Sequence, residues 1–197
     1  GFGISKLKRV FLVLLVLSVL LLSACGGDTT DSGQKTNAEG EKTEQTNSET
    51  KAELGTRENP IPIGQKAQVG PNWEVTILEI VPDAWSIIEA ENMFNEPPEE
   101  GYQYVMAKVQ VSYIGEESGT PWVDLSLRYL GSDGNAYSEG VGVVPKAFSD
   151  IGEQFPGATA EGNVGWAVPA DAVSGGKIIV EESFSFEDTR VFFQGAE

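Results

Sequence analysis

Short runs in which apolar and polar residues alternate dominate the second half of the chain. The clearest is QYVMAKVQVSYIG, in which every second residue is apolar: Val105, Ala107, Val109, Val111 and Tyr113. Because successive side chains of a strand point to opposite faces, this run predicts a β-strand with one buried and one solvated face. Long helical periodicity is absent from residues 55–197, which restricts the fold to one built mainly from strands.

Further runs of the same kind are separated by Gly, Pro and Asp. They are WEVTILEIV, VDLSLRYL, NVGWAVP, KIIVEESFSF and TRVFF, with shorter pieces in PIPIG and KAQVG. Asp133-Gly134 between two runs predicts a hairpin turn, because such turns need residues that tolerate positive φ. Seven or eight strands in one domain predict an all-β protein that folds as a two-layer antiparallel β-sandwich. Leu78 and Ile80 predict that the second half of WEVTILEIV is buried on both faces.

Residues 82–101, PDAWSIIEAENMFNEPPEEG, break the strand pattern. Apolar positions recur there at helical spacing, and Pro97-Pro98 would end a helix. We therefore predict a short helix in one long connection, with Asp83 as its N-cap.

The first part of the chain predicts an exported, lipid-anchored protein. Lys6, Lys8 and Arg9 precede an apolar run that is too short for a membrane helix, which needs about 20 residues. Leu22-Ser23-Ala24-Cys25 then resembles the bacterial lipoprotein signal, in which the peptide is cut before the cysteine and the new terminus is acylated. We expect a signal peptide over residues 1–24 and lipidation of Cys25. The alternative is a free thiol after an ordinary signal or a membrane helix.

Residues 25–54 are polar and almost free of apolar side chains. Such a segment cannot bury enough surface to offset the entropy of ordering, so we predict a disordered tether, with a Thr-rich glycosylated stalk as the compositional alternative. The predicted β-domain then spans residues 55–197. Without the signal, 10 basic residues (13 minus three) remain against 30 acidic ones. We therefore expect no nucleic-acid partner and no binding of the domain to an anionic membrane surface.

The chain contains no histidine and one cysteine. This composition removes histidine general bases, the usual catalytic triads and the usual zinc sites. Paired carboxylates could still support glycoside hydrolysis, but 30 acidic residues supply many coincidental pairs. We expect that the protein is not an enzyme and carries no cofactor.

Carboxylates in the long connection are the available ligands for a hard cation. Five of them are candidates for calcium: Glu89, Glu91, Glu96, Glu99 and Glu100. Their spacing fits no EF-hand loop, and the alternative is that they only keep an exported domain soluble.

Apolar residues in connecting segments are the candidates for partner binding. They are Trp85, Ile88, Phe94 and Trp122. Loops run over the surface and often carry function, so an exposed aromatic patch would suit a protein partner. The alternative is that the short helix folds back and plugs one end of the sandwich. Trp73 and Trp166, on strand faces, are predicted core residues.

Four stretches resemble the telokin-like, immunoglobulin-like domains of Gram-positive surface lipoproteins, a group related to a secreted mycobacterial antigen. They are GTRENPIPIGQKAQVGPNWEVTILEIVPDA, AENMFNEPPEEGYQYVMAKVQVSYIG, DLSLRYLGSDGNAYS and PGATAEGNVGWAVPADA. The resemblance covers nearly all of residues 55–197 and implies an immunoglobulin-like sandwich of unknown function. It supplies no catalytic motif.

These features favour a lipid-anchored surface protein that acts by binding an envelope or extracellular protein. A small-ligand or calcium-binding accessory lipoprotein of a transport system is the alternative, although such capture usually uses two closing lobes. A purely structural envelope component is the third interpretation.

Overall fold

The computed structural model describes residues 52–197, which form an eight-stranded β-sandwich. The predicted signal peptide, Cys25 and nearly all of the tether lie outside the described residues. The strands are β1 Lys66–Val69, β2 Trp73–Val81, β3 Tyr102–Tyr113, β4 Leu125–Leu130, β5 Ala136–Ser138, β6 Thr159–Pro169, β7 Lys177–Glu182 and β8 Val191–Gln194. The helices are α1 Trp85–Glu91 and α2 Pro121–Asp124, with 3₁₀ turns at Phe148–Asp150 and Ala170–Ala172.

Two antiparallel sheets face each other, with the strand orders β1-β2-β3-β6 and β5-β4-β7-β8. This arrangement confirms the predicted all-β sandwich with a short helix in one connection. No helix in the part of the chain that the structure describes is long and apolar enough to cross a membrane.

The main core lies between the sheets and is built from the predicted faces. Every second residue of β3 from Val105 to Tyr113 is buried in it. Trp166 is fully buried, and its Nε1 donates a hydrogen bond to the carbonyl oxygen of Leu127 in the other sheet at 3.2 Å. Its ring packs against Tyr129 with centroids 5.7 Å apart. Trp73 and Trp166 are therefore core residues, as predicted.

A β-bulge explains the break in the alternation of β2. The register with β3 shifts between Ile77 and Glu79, so Leu78 is the extra residue. After the bulge, Ile80 packs against the main core and Val81 against a second apolar cluster.

The second cluster lies on the outer face of the β1-β2-β3-β6 sheet. It comprises Ala84, Ile88, Met106, Val141 and Val144. Met106 alternates with the inward-facing residues of β3, so it presents its side chain to the opposite face. Helix α1 covers that face, which corrects the expectation that it plugs an end of the sandwich.

Three local predictions are wrong. The N-cap of α1 is Ala84, and Asp83 makes no capping hydrogen bond because it precedes the cap with a φ of 51°. The piece PIPIG forms no strand, and only Ile61 makes a bridge, to Phe193. The run KIIVEESFSF leaves the sheet at Glu182, and its last residues form a loop.

Candidate binding surface

Four chain segments meet at one end of the sandwich. They are residues 70–72, 114–124, 151–158 and 183–190, and we call this region the loop end. The strand register brings them together, because β1, β3 and β7 finish where β2, β4, β6 and β8 begin. The pair Leu125 and Glu182 marks this end in one sheet, and the pair Trp73 and Tyr113 marks it in the other.

Backbone hydrogen bonds tie the four segments to one another. Gly119 and Gln154 exchange two bonds of 2.9 and 2.7 Å. The amide of Ile114 donates to the carbonyl of Asn72 at 2.8 Å, and the amide of Ser183 donates to that of Asp124 at 2.8 Å. The loop end is therefore a connected framework on which side chains hold defined positions.

Large apolar side chains are exposed on this framework. Phe184 is 81% exposed and Phe186 is fully exposed, while Phe155 is 60% and Trp122 is 45% exposed. All four lie in the segments defined above. Because burial of one such side chain is worth about 2 kcal/mol, their exposure leaves a large apolar area available to a partner.

A polar cleft opens between the sheets at the same end. It consists of two adjoining cavities of about 270 and 370 Å³, which share Asn72 and Ser118 as lining residues. The remaining lining residues are Trp73, Tyr113, Glu116, Glu117, Asp124, Glu182 and Phe184. Four carboxylates thus line the cleft, and no Lys or Arg does.

The inner carboxylates are held by the fold. Asp124 Oδ2 accepts a hydrogen bond from Trp73 Nε1 at 3.1 Å. Glu182 is the last residue of β7 and lies on the same, inward-facing side of the strand as Ile178 and Val180. Its Oε1 is buried and receives no hydrogen bond from residues 52–197. Gly70 makes room for this carboxylate, because a Cβ there would lie 1.6 Å from Glu182 Oε1.

Of the predicted partner-binding residues, two are buried or half-buried and two are exposed. Ile88 is fully buried in the second cluster, which removes it from the candidates, and Trp85 is half-buried against Tyr104 with ring centroids 6.1 Å apart. Phe94 is 85% exposed beside the equally exposed Met93. Trp122 is the one predicted candidate that lies at the loop end.

The structure does not bring the calcium candidates together. Within residues 52–197, no group of three or more Asp, Glu or Cys side chains is placed to hold a metal ion. No three of the candidates Glu89, Glu91, Glu96, Glu99 and Glu100 are therefore grouped as metal ligands.

Sequence reasoning missed Phe184 and Phe186, because they alternate with Ser183 and Ser185 and so continue the pattern of β7. The one available signal lay in the residues that follow, because Asp188 is of a residue type that is depleted from strands.

A separate cavity of about 230 Å³ lies under residues 139–150 at one edge of the sandwich. Glu139 forms a bridge with Trp166, and the amide of Gly140 donates to the carbonyl of Gly165 at 3.1 Å, so this segment joins β5 of one sheet to β6 of the other. Burial raises the pKa of the Glu139 carboxyl from 4.5 to about 7.

No family model and no curated protein matches the chain. Solved structures with a similar fold include three bacterial proteins. An uncharacterised β-sandwich protein from Clostridium difficile has a TM-score of 0.44 at 15% identity, covering 69% of this chain and 94% of its own. A candidate lipoprotein from Bacillus subtilis has a TM-score of 0.40 at 13% identity, and the match covers 64% of this chain and 37% of the lipoprotein. The secreted protein MPT63 from Mycobacterium tuberculosis has a TM-score of 0.45 at 13% identity, and the match covers 68% of this chain and 97% of MPT63. At these identities the likeness concerns the fold alone.

Proposed function

We propose that the protein is a lipid-anchored extracellular binding protein whose β-sandwich contacts an envelope or extracellular protein through the loop end. The anchor rests on Leu22-Ser23-Ala24-Cys25 after a basic start and a short apolar run. Binding rather than catalysis is favoured because a chain without histidine lacks the commonest general base. Anchoring raises the local concentration of the domain, so modest affinity suffices.

The observation that carries the proposal is the exposure of Phe184 and Phe186 on one loop. Neither side chain belongs to either apolar cluster, so packing in the core does not account for two aromatic residues in the loop between β7 and β8. Aromatic side chains supply much of the energy of protein interfaces, especially beside polar groups that form a rim. Their position beside Trp122 and an acidic cleft fits such a surface.

The Met93 and Phe94 pair provides a matched comparison. It exposes two large apolar side chains to a similar degree, but it flanks α1 and lies outside the loop end. A variant there removes a similar apolar area without touching the proposed surface.

The test compares two double variants of the full chain expressed in its membrane-anchored form. Phe184→Ala with Phe186→Ala should lower co-purification of the crosslinked partner at least about tenfold, since two aromatic anchors are lost. Met93→Ala with Phe94→Ala should lower it less than about twofold. Both variants should keep the melting temperature within a few degrees, because the replaced side chains are exposed.

Equal loss of the partner in both double variants would contradict the assignment of the surface. Retention of the partner in the Phe184→Ala, Phe186→Ala variant would do the same.

A further inference from the structure

We infer that the partner places an arginine-bearing basic segment in the cleft at the loop end, next to Phe184 and along the carboxylates that line its two cavities. This inference rests on the proposed function and specifies the chemistry of the partner. It follows from the charge, the hydrogen-bonding capacity and the aromatic content of the cleft.

Charge complementarity selects a cationic occupant. The four segments of the loop end contain six acidic residues and one basic residue, Arg190. Arg190 does not neutralise the cleft, because its Nε lies 3.4 Å from Glu181 Oε2. A basic segment would meet an uncompensated negative surface, which speeds association and selects against acidic partners.

Two carboxylates of the cleft have no cationic partner within residues 52–197. Glu116 and Glu117 are exposed, and neither forms an ion pair with a Lys or Arg of this part of the chain. A guanidinium group has five N–H donors in a planar fork that suits carboxylates.

The aromatic content favours arginine over other cations. Phe184 lines the cleft and is 81% exposed, so a ring face is accessible next to the acidic groups. Guanidinium groups stack on aromatic faces, whereas an ammonium group is more strongly hydrated and makes fewer directed bonds. A calcium ion takes six to eight oxygen ligands, whereas no three acidic side chains of residues 52–197 are grouped closely enough to hold a metal ion.

The test measures binding of labelled hexa-arginine, hexa-lysine and hexa-citrulline peptides to the full-length protein in detergent. Citrulline keeps the shape of arginine without its charge. We expect hexa-arginine to bind best, hexa-lysine to bind several-fold more weakly, and hexa-citrulline not to bind measurably.

Charge variants inside and outside the cleft distinguish binding in the cleft from nonspecific electrostatic attraction to an acidic protein. Glu117→Gln and Glu182→Gln should each weaken hexa-arginine binding about fivefold to tenfold. Glu89→Gln changes the net charge by the same amount at an exposed position of α1 and should weaken hexa-arginine binding less than about twofold. Glu117 is exposed, so its variant also serves if Glu182→Gln fails to fold.

Equal weakening by Glu89→Gln and the cleft variants would overturn the inference, because binding would then follow overall charge. Equal affinity for the arginine and lysine peptides would overturn the choice of arginine. If no peptide binds while Phe184→Ala with Phe186→Ala still abolishes partner recovery, the inference fails and the proposed function stands. If the peptide result is as expected but partner recovery is insensitive to that double variant, the proposed function fails.

Discussion

Gly162 shows how a single residue controls the packing of β6. A Cβ at this position would lie 2.5 Å from the Cα of Phe148, in the 3₁₀ turn that packs against the strand. The obstacle is backbone, so it cannot move aside as a flexible side chain could. The fold therefore depends on the absence of a side chain at this point.

We predict that Gly162→Ala destabilises the protein by at least about 2 kcal/mol, because the overlap forces the strand away from the turn. Gly152→Ala is the control, since no atom lies within 4 Å of a Cβ there and its φ is not positive. It should change the free energy of unfolding by less than about 1 kcal/mol. Urea denaturation of both variants measures the difference, and similar losses would refute the close approach.

Glu139 makes stability depend on pH. Its pKa is raised by burial from 4.5 to about 7, so the folded state holds a proton that the unfolded state releases between these values. Below pH 4.5 the Glu139 carboxyl is neutral in both states and its burial costs no charge, so the free energy of unfolding is highest there. This advantage is lost as the pH rises towards 7. Above pH 7 the buried carboxylate is charged in both states and the penalty stays constant.

We predict that Glu139→Gln stabilises the protein at pH 8 by about 1 kcal/mol, a value reduced from the full shift because the side chain is only partly buried. The gain should shrink towards zero at pH 4.5. Exposed Glu89→Gln should show no comparable trend. Denaturation at several pH values gives the difference between each variant and the parent, and a pH-independent difference for Glu139→Gln would contradict the account.

At the scale of elements, α1 acts as a cover for the outer face of β3. Asn95 fixes the chain just beyond the helix, because its Nδ2 donates to the carbonyls of Ile88 and Val143 at 2.7 and 2.8 Å. Its Oδ1 accepts from the amide of Val143 at 2.9 Å. The helix and residues 141–144 therefore form one covering layer around Met106.

Two neighbouring isoleucines test this packing. Ile88 is fully buried, whereas Ile87 is 38% exposed. We predict that Ile88→Ala costs about 3 kcal/mol and that Ile87→Ala costs less than about 1 kcal/mol, because only the first leaves a cavity. Thermal and urea denaturation measure both. Equal costs would show that α1 is not docked through Ile88.

The strands were predictable because alternation is a local property. The inward residues of β3, β4 and β6 follow from parity alone, and Asp133-Gly134 correctly places the turn between β4 and β5. The end of β7 was not predictable, since it depends on a distant partner. The amide of Glu182 donates to Thr189 Oγ1 at 2.9 Å, which closes the ladder while the local pattern continues.

The candidate surface was less predictable for the same reason. Trp122 was selected from its loop, but its neighbours at the loop end come from segments far apart in the chain. Ile88 and Phe94 differ in burial although they lie in one short segment, because Met106 covers the first and nothing covers the second. Which side of a helix is covered depends on tertiary packing, which spacing alone does not specify.

At the scale of the whole molecule, the proposed lipid anchor would hold an acidic domain at the membrane. We predict that Cys25→Ala transfers the protein from the membrane fraction to the soluble or medium fraction and abolishes incorporation of labelled fatty acid. Ser18→Ala, within the apolar run, should change neither property. Cell fractionation and metabolic labelling measure both, and a Cys25→Ala variant that still incorporates label would contradict lipidation at this cysteine.

The central claim is that the loop end contacts a protein partner. The most direct measurement is photocrosslinking in intact cells with a photoreactive residue placed in turn at positions 184, 94 and 110. Gln110 lies on the polar outer face of β3 and Phe94 is an exposed aromatic elsewhere, so both serve as controls. The account predicts one protein captured at position 184 and absent at the other two. Capture of that protein at position 94 instead, or at none of the three positions, would contradict it.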